Sequence, residues 1–239
     1  DDEGASDLVR SARSVLHPVS ASHLPEGGSG VEGGRLHLPG FSVPLEDLGS
    51  ADPAHIVDMA AAAVLALDRG AVPEGVESVL RSFRPGSHRR QVVATIGGVD
   101  YVDDSKATNP HAADAALRGH ESVVWVAGGQ LKGADVTGLI ADHAHRMRAA
   151  VVLGVDGPAI AEALAAASPG MPVTVIGETD PALAMEQACS AAAGAARSGD
   201  VVLLAPAAAS LDMFTGMAQR GDFFADGARA ATATGDETS

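Results

Sequence analysis

The chain has 239 residues, 46% of them hydrophobic, and a mean hydropathy of +0.13, which allows one or two globular domains with real cores. A formal charge of −15 with 3% aromatic residues argues against a nucleic-acid groove, which needs basic surface and stacking rings. No apolar run approaches the roughly eighteen residues of a membrane span, and the lone Cys189 cannot form an internal disulfide, as expected of a reducing, cytoplasmic compartment.

The chain starts Asp-Asp-Glu-Gly-Ala-Ser, without Met or a signal pattern, and reads as a piece of something longer. Up to about residue 50 it is rich in Gly, Pro and Ser, with apolar fragments around Leu36 and Phe41 that predict brief strands and turns, too little for a fold of its own. Asp52-Pro53 supplies an N-cap and a first-turn proline, and Ile56, Met59, Ala60, Ala63, Val64 and Leu67 trace one apolar face as far as Gly70. A second helix is predicted from Pro73 to Phe83, with Val76, Val79, Leu80 and Phe83 at helical spacing. Pro85-Gly86 then breaks the chain, and a domain boundary is placed there.

Beyond it come Val-rich and Ile-rich runs at 92–96, 101–102, 123–126, 151–153, 173–176 and 201–204, the last four separated by helix-length segments. That alternation predicts an α/β domain over 86–231, a doubly wound and mainly parallel sheet covered on both faces. The first two runs, joined by Gly97-Gly98, are expected as a β-hairpin leading into it. Residues 232–239 are polar enough to be a flexible tail.

Of the 16 basic residues two are lysines, Lys106 and Lys132, and each follows a predicted strand within a polar segment. In open α/β sheets ligands bind beyond the carboxyl ends of strands. Three such segments could converge: Asp103-Asp104-Ser105-Lys106-Ala107-Thr108-Asn109, Gly128-Gly129-Gln130-Leu131-Lys132, and Pro206 to Ser210. Paired glycines let backbone approach a ligand and Lys132 offers a cation to a carboxylate or phosphate, although a Gly-Gly after a strand is equally a plain turn. Asp104, Lys106, Thr108 and Asn109 can hold hydroxyl and carboxylate groups near a helix start, or merely cap the helix. His88-Arg89-Arg90 is placed to meet a nucleotide phosphate or is a solvated charge run. Neither Gly-x-Gly-x-x-Gly nor the P-loop pattern Gly-x-x-x-x-Gly-Lys-Ser/Thr occurs at these loops. His143 and His145, two apart on a predicted helix, read as surface residues, so no metal site is predicted.

The ordered segments Asp-Asp-Ser-Lys-Ala-Thr-Asn-Pro-His-Ala, Ala-Gly-Gly-Gln-Leu-Lys-Gly-Ala-Asp, Leu-Leu-Ala-Pro-Ala-Ala-Ala-Ser-Leu-Asp-Met-Phe and Gln219-Arg220-Gly221-Asp222-Phe223-Phe224-Ala225 resemble those of the Mur ligases, in particular the branch that adds D-glutamate. The resemblance is strong over 86–231 and weaker before it. It implies a Rossmann-like, amino-acid-binding C-terminal domain over 86–231, preceded in 1–85 by the tail of a central ATPase domain. It also implies a reaction in which ATP, with Mg²⁺, phosphorylates the carboxylate of UDP-N-acetylmuramoyl-L-alanine and the amine of D-glutamate attacks the acyl phosphate. By motif, Lys106, Thr108, Lys132 and Ser210 with the backbone at Leu211 fall around D-glutamate, while Arg89 and Asp104 fall near ATP. The family's His-Asn-x-x-Asn reads His55-Ile56-Val57-Asp58-Met59 here, so His55 alone carries over to the nucleotide, and Met217 stands where an aromatic residue is common. The family's P-loop and Mg²⁺-binding lysine have no match, so the chain by itself is not expected to hydrolyse ATP, and its Mg²⁺ ligands are expected mostly elsewhere in the same enzyme. A different reading of the same resemblance is a non-catalytic amino-acid-binding or regulatory module, and a third is a related ligase for another amino acid.

Overall fold

The computed structural model describes residues 16–231, so the tail expected at 232–239 lies outside the described residues. The chain divides between Pro85 and Gly86 into two compact units.

In the first unit β1 (Val19–Ser20) runs parallel to β2 (Ser29–Glu32), and β3 (Arg35–Leu38) and β4 (Phe41–Pro44) extend the sheet antiparallel. Strands this short bury little by themselves. Their inward residues Leu36, Leu38 and Val43 share one core with Ile56, Met59, Ala60 and Ala63 of α1 (Pro53–Asp68) and Val76 and Leu80 of α2 (Pro73–Ser82). The two helices thus close a core that the Gly- and Pro-rich strands lack. The Asp52 carboxylate accepts from the Ala54 N–H at 2.9 Å, capping α1. Val79, grouped with the apolar face of α2 by its spacing, is 63% exposed: α2 buries one i, i+4 pair, Val76 and Leu80, and Val79 lies off that stripe.

The second unit is built on a six-stranded sheet in the order β5 (Gln91–Ile96), β6 (Val99–Asp103), β10 (Val201–Leu204), β7 (Val123–Gly128), β8 (Met147–Leu153), β9 (Val173–Val175). Every neighbouring pair is parallel except β5 and β6. The expected hairpin at Gly97-Gly98 is present, but β6 is an internal strand of the parallel sheet and β5 is the antiparallel edge. Alternation sorts the side chains: Val123, Trp125 and Ala127 of β7 enter the core under α3 (Pro110–Arg118), α4 (Thr137–His143) and α5 (Gly157–Ala167). Val124 and Val126 enter the opposite core, with α6 (Pro181–Ala195) and α7 (Met217–Ala230). Cys189 lies fully buried between α6 and α7, where burial pushes its thiol up to about 12. No helix among the described residues is long and apolar enough to cross a membrane.

His143 is not a surface residue. Leu139 and His143 stand four apart on the inner face of short α4, and His143 Nε2 lies 2.8 Å from Asp114 Oδ1 of α3. Burial pushes the Asp114 carboxyl up, but hydrogen bonds from His143 and Arg118 outweigh it and the net shift is downward. His145, on the following 3-10 turn, is exposed.

At the amino ends of the strands Asp200 is buried, with Ser122 Oγ at 2.6 Å, the Arg197 N–H at 2.7 Å and the Arg148 guanidinium across both carboxylate oxygens. The Arg148 contact leads in holding its carboxyl down at about 2, from an ordinary 3.8. A carboxylate with a lowered folded-state value stabilises above the unfolded value and loses that contribution as pH falls toward the folded one. Asp200→Asn is therefore expected to cost about 2 kcal/mol in urea denaturation at pH 7, with the gap to wild type narrowing between pH 4 and pH 2.

Candidate functional site

The strand order sets β6, β10 and β7 side by side, so the loops leaving their carboxyl ends are neighbours although they lie far apart in sequence. Main-chain hydrogen bonds hold those loops to one another. The Asp104 N–H donates to Leu204 O at 2.9 Å, Ala207 N–H to Ala107 O at 3.0 Å and Gly128 N–H to Pro206 O at 3.0 Å. Gln130 and Ala209 exchange both N–H···O bonds, at 2.8 and 2.9 Å.

Beneath them sits Arg220 of α7, 1% exposed. Its Nε donates to Ser105 Oγ at 3.0 Å and Nη2 to Ser105 O at 2.8 Å, while Nη1 donates to Ala208 O at 3.1 Å and Gly128 O at 3.3 Å. One planar guanidinium therefore reaches all three loops, a role its rigid fork of donors suits. Burial pulls its value down to about 10, and the nearby carboxylates of Asp212 and Asp103 oppose that, so it remains a cation at neutral pH.

Gly128 and Gly129 adopt φ of 124° and 122°, a region nearly closed to other residues. A Cβ on Gly129 would stand 2.1 Å from Ala209 O, and one on Gly128 1.9 Å from Leu153 O. The glycines thus serve a close approach of three backbones. Lys132 follows at φ 54° with its side chain exposed, beyond Leu131, whose N–H donates to Asp156 Oδ2 at 2.7 Å.

Of the residues singled out by sequence, Lys106, Thr108, Lys132, Ser210 and Leu211 all lie on these three linked loops. Ser210 is buried, Lys106 and Thr108 are half-buried, and Leu211 is 64% exposed. Asn109 Oδ1 accepts from Ala112 N–H at 2.9 Å and caps α3 behind Pro110, so the polar density of 103–109 serves a cap as well as a loop. Asp104 lies beside Arg90, Oδ2 to Nε 3.7 Å. Arg89 is exposed between two residues at positive φ, His88 at 63° and Arg90 at 49°. His55 belongs to the first unit, buried in the first turn of α1, with Nδ1 2.9 Å from Ser50 Oγ and its ring edge-on to Phe83.

The sequence reading passed over Arg220, Asp103 and His88 as individual residues. Arg220 carried a signal all the same, being a cation inside the apolar stripe of a helix that brings Phe224 and Ala228 into the core. Among the described residues no group of three or more His, Cys, Asp or Glu side chains is placed to hold a metal ion.

Over 182 residues the chain is 52% identical to the UDP-N-acetylmuramoylalanine–D-glutamate ligase of Corynebacterium jeikeium, covering 76% of this chain and 36% of that protein. The chain thus spans about two fifths of the length of the curated relatives it matches. In fold it is similar to MurF from Acinetobacter baumannii, with a TM-score of 0.56 at 18% identity over 80% of this chain and 42% of that one. It is similar too to folylpolyglutamate synthase from Mycobacterium tuberculosis complexed with ADP, with a TM-score of 0.53 at 19% identity over 79% of this chain and 44% of that one. Since residues 88–208, which run from the His88 turn through both lysine loops into the loop after β10, match the family model described as Mur ligase, glutamate ligase domain, the chain belongs to the Mur ligase family.

Proposed function

We propose that this chain supplies the amino-acid site, and part of the ATP site, of a ligase that joins D-glutamate to UDP-N-acetylmuramoyl-L-alanine in peptidoglycan precursor synthesis. The observation that supports the reading is that three loops carrying both lysines and Ser210 are bonded to one another through the main chain, in a chain half identical to relatives named for that reaction. D-Glutamate presents two carboxylates and an amine. Lys106 and Lys132 neutralise the carboxylates, Thr108, Ser210 and the Leu211 backbone orient them, and the amine is left free as nucleophile.

In the proposed reaction ATP transfers its γ-phosphoryl group to the carboxylate of UDP-N-acetylmuramoyl-L-alanine. The D-glutamate amine then attacks the acyl carbon, the tetrahedral intermediate expels phosphate, and the amine loses a proton as the amide forms. On this chain Arg89 faces the phosphates, Asp104 the ribose, and His55 belongs to the nucleotide side. ATP use is supported by the likeness to an ADP complex of related fold. The ligands of Mg²⁺ are proposed to lie mostly on other parts of the same enzyme. A nucleotide-linked substrate agrees with work in the cytoplasm.

In the full-length ligase Lys132→Ala is expected to raise the KM for D-glutamate between about 10-fold and 100-fold, the worth of one charge-assisted hydrogen bond, with the KM for ATP within twofold. Unchanged turnover at low D-glutamate would remove Lys132 from the site. Competition among D-glutamate, L-lysine and diaminopimelate checks the amino acid itself: saturation by either of the others would reassign the substrate.

A further inference from the structure

His88 and Asp103 form a contact for which the proposed reaction has no use. Asp103, the last residue of β6, is 1% exposed; its Oδ1 accepts from Ser105 N–H at 2.9 Å and its Oδ2 lies 2.6 Å from His88 Nδ1. A carboxylate only accepts, so Nδ1 carries the proton and the ring is fixed in that tautomer and orientation. Its other nitrogen faces Asp222 Oδ1 at 3.8 Å, beyond hydrogen-bond reach.

The pair sits against the backbone of α7. A Cβ on Gly221 would stand 2.2 Å from His88 Nδ1 and 2.5 Å from Asp103 Oδ2. A glycine inside a helix weakens it, and here the missing methyl is the space the imidazole and carboxylate occupy. The segment so anchored is strained, since neither His88 nor Arg90 is a glycine and both have positive φ. The segment is tied at other points too: His88 O accepts from Lys106 N–H at 3.3 Å, the His88 N–H donates to Gln91 Oε1 at 3.4 Å, and Arg90 lies by Asp104. Between the two strained residues projects Arg89, exposed.

We propose that Asp103 is a positioning residue for nucleotide binding: through His88, packed over Gly221, it holds the strained 88–90 turn in the one conformation that presents Arg89 to the ATP phosphates. The inference rests on the reading of Arg89 as a phosphate contact. Asp103 itself touches no substrate; its effect on the turn passes through the backbone that His88 pins, while its other oxygen holds Ser105 N–H on the neighbouring loop.

The test uses the full-length ligase. Asp103→Ala is expected to raise the KM for ATP about tenfold, a typical coupling between groups in contact, and the KM for D-glutamate by less, through the lost Ser105 bond. Asp103→Asn, whose one amide oxygen can still accept from Nδ1–H while its NH2 gives up the Ser105 bond, recovers part of that loss. His88→Ala, which leaves Asp103 bonded to Ser105, reads the contact from the other side and gives the same selective rise; it decides the matter if Asp103→Ala does not fold. Calorimetric titration with ADP shows the same order of affinities without turnover. Arg89→Ala raises the KM for ATP, and adding Asp103→Ala to it raises that KM no further, because the turn then has no guanidinium to aim. Additive losses in that double variant, or equal rises in both KM values, would overturn the positioning role. An unchanged KM for ATP in Arg89→Ala would remove the phosphate reading beneath it.

Discussion

Replacing Arg220 by alanine is expected to cost roughly 4 kcal/mol of stability and to abolish D-glutamate binding together. The guanidinium donates to the Ser105 carbonyl and hydroxyl and to the carbonyls of Gly128 and Ala208, all buried beneath the loops. Removing it leaves those acceptors without a donor, at about 1–3 kcal/mol for each that water cannot reach. It also strips the compensating charge from beside Asp103 and Asp212. Arg220→Lys separates charge from geometry: an ammonium keeps the cation but has no planar fork to reach three loops, so it should restore part of the stability and little of the binding. Urea denaturation and titration of D-glutamate into the full-length ligase read the two effects. Full binding in the lysine variant would show that the loops are held by their main-chain bonds and not by the fork.

Gly129→Ala should be nearly as damaging, by another route. The added methyl lands 2.1 Å from Ala209 O at a φ of 122° that an alanine scarcely adopts. Forced overpacking and backbone strain each cost about 1–3 kcal/mol, so a loss of roughly 3 kcal/mol is expected. Relief can come only by parting the Gln130–Ala209 bridge, which moves the Lys132 loop away from the Ser210 loop. The signature is a D-glutamate KM raised at least as much as in Lys132→Ala, with both lysines still present. Thermal unfolding and steady-state kinetics measure it, and a normal KM would mean that the two loops need not touch.

The layout of the second unit was legible because its strands announce themselves: Val123–Val126 and Val201–Leu204 are uninterrupted apolar runs, as buried parallel strands must be, and each opens directly onto its polar loop. Both lysines stood out for the same reason. Position in the sheet was not legible, since β10 pairs with β6 and β7 across stretches of chain that no local pattern spans. For that reason Arg220 passed as one motif residue among several: its partners at 105, 128 and 208 become neighbours only once that strand order is known. His143 misled because spacing along a helix says which residues share a face, not which face is covered. Asp104 drew attention ahead of Asp103, while the carboxylate buried against His88 is Asp103.

The insertion of β10 between β6 and β7 also imposes an order of events on folding. β6 and β7 precede β10 by about 100 and 75 residues, and in the finished sheet the two are never adjacent: each meets β10 on one side and its outer neighbour on the other. Until residues 201–204 arrive, the middle of the sheet is an open slot, and the closure that fills it joins segments of high sequence separation, the slow kind of step. Arg220 comes still later in the chain. The three linked loops are therefore complete only when β10 is seated, and a ligand that engages all three recognises only molecules whose central strand is already in place.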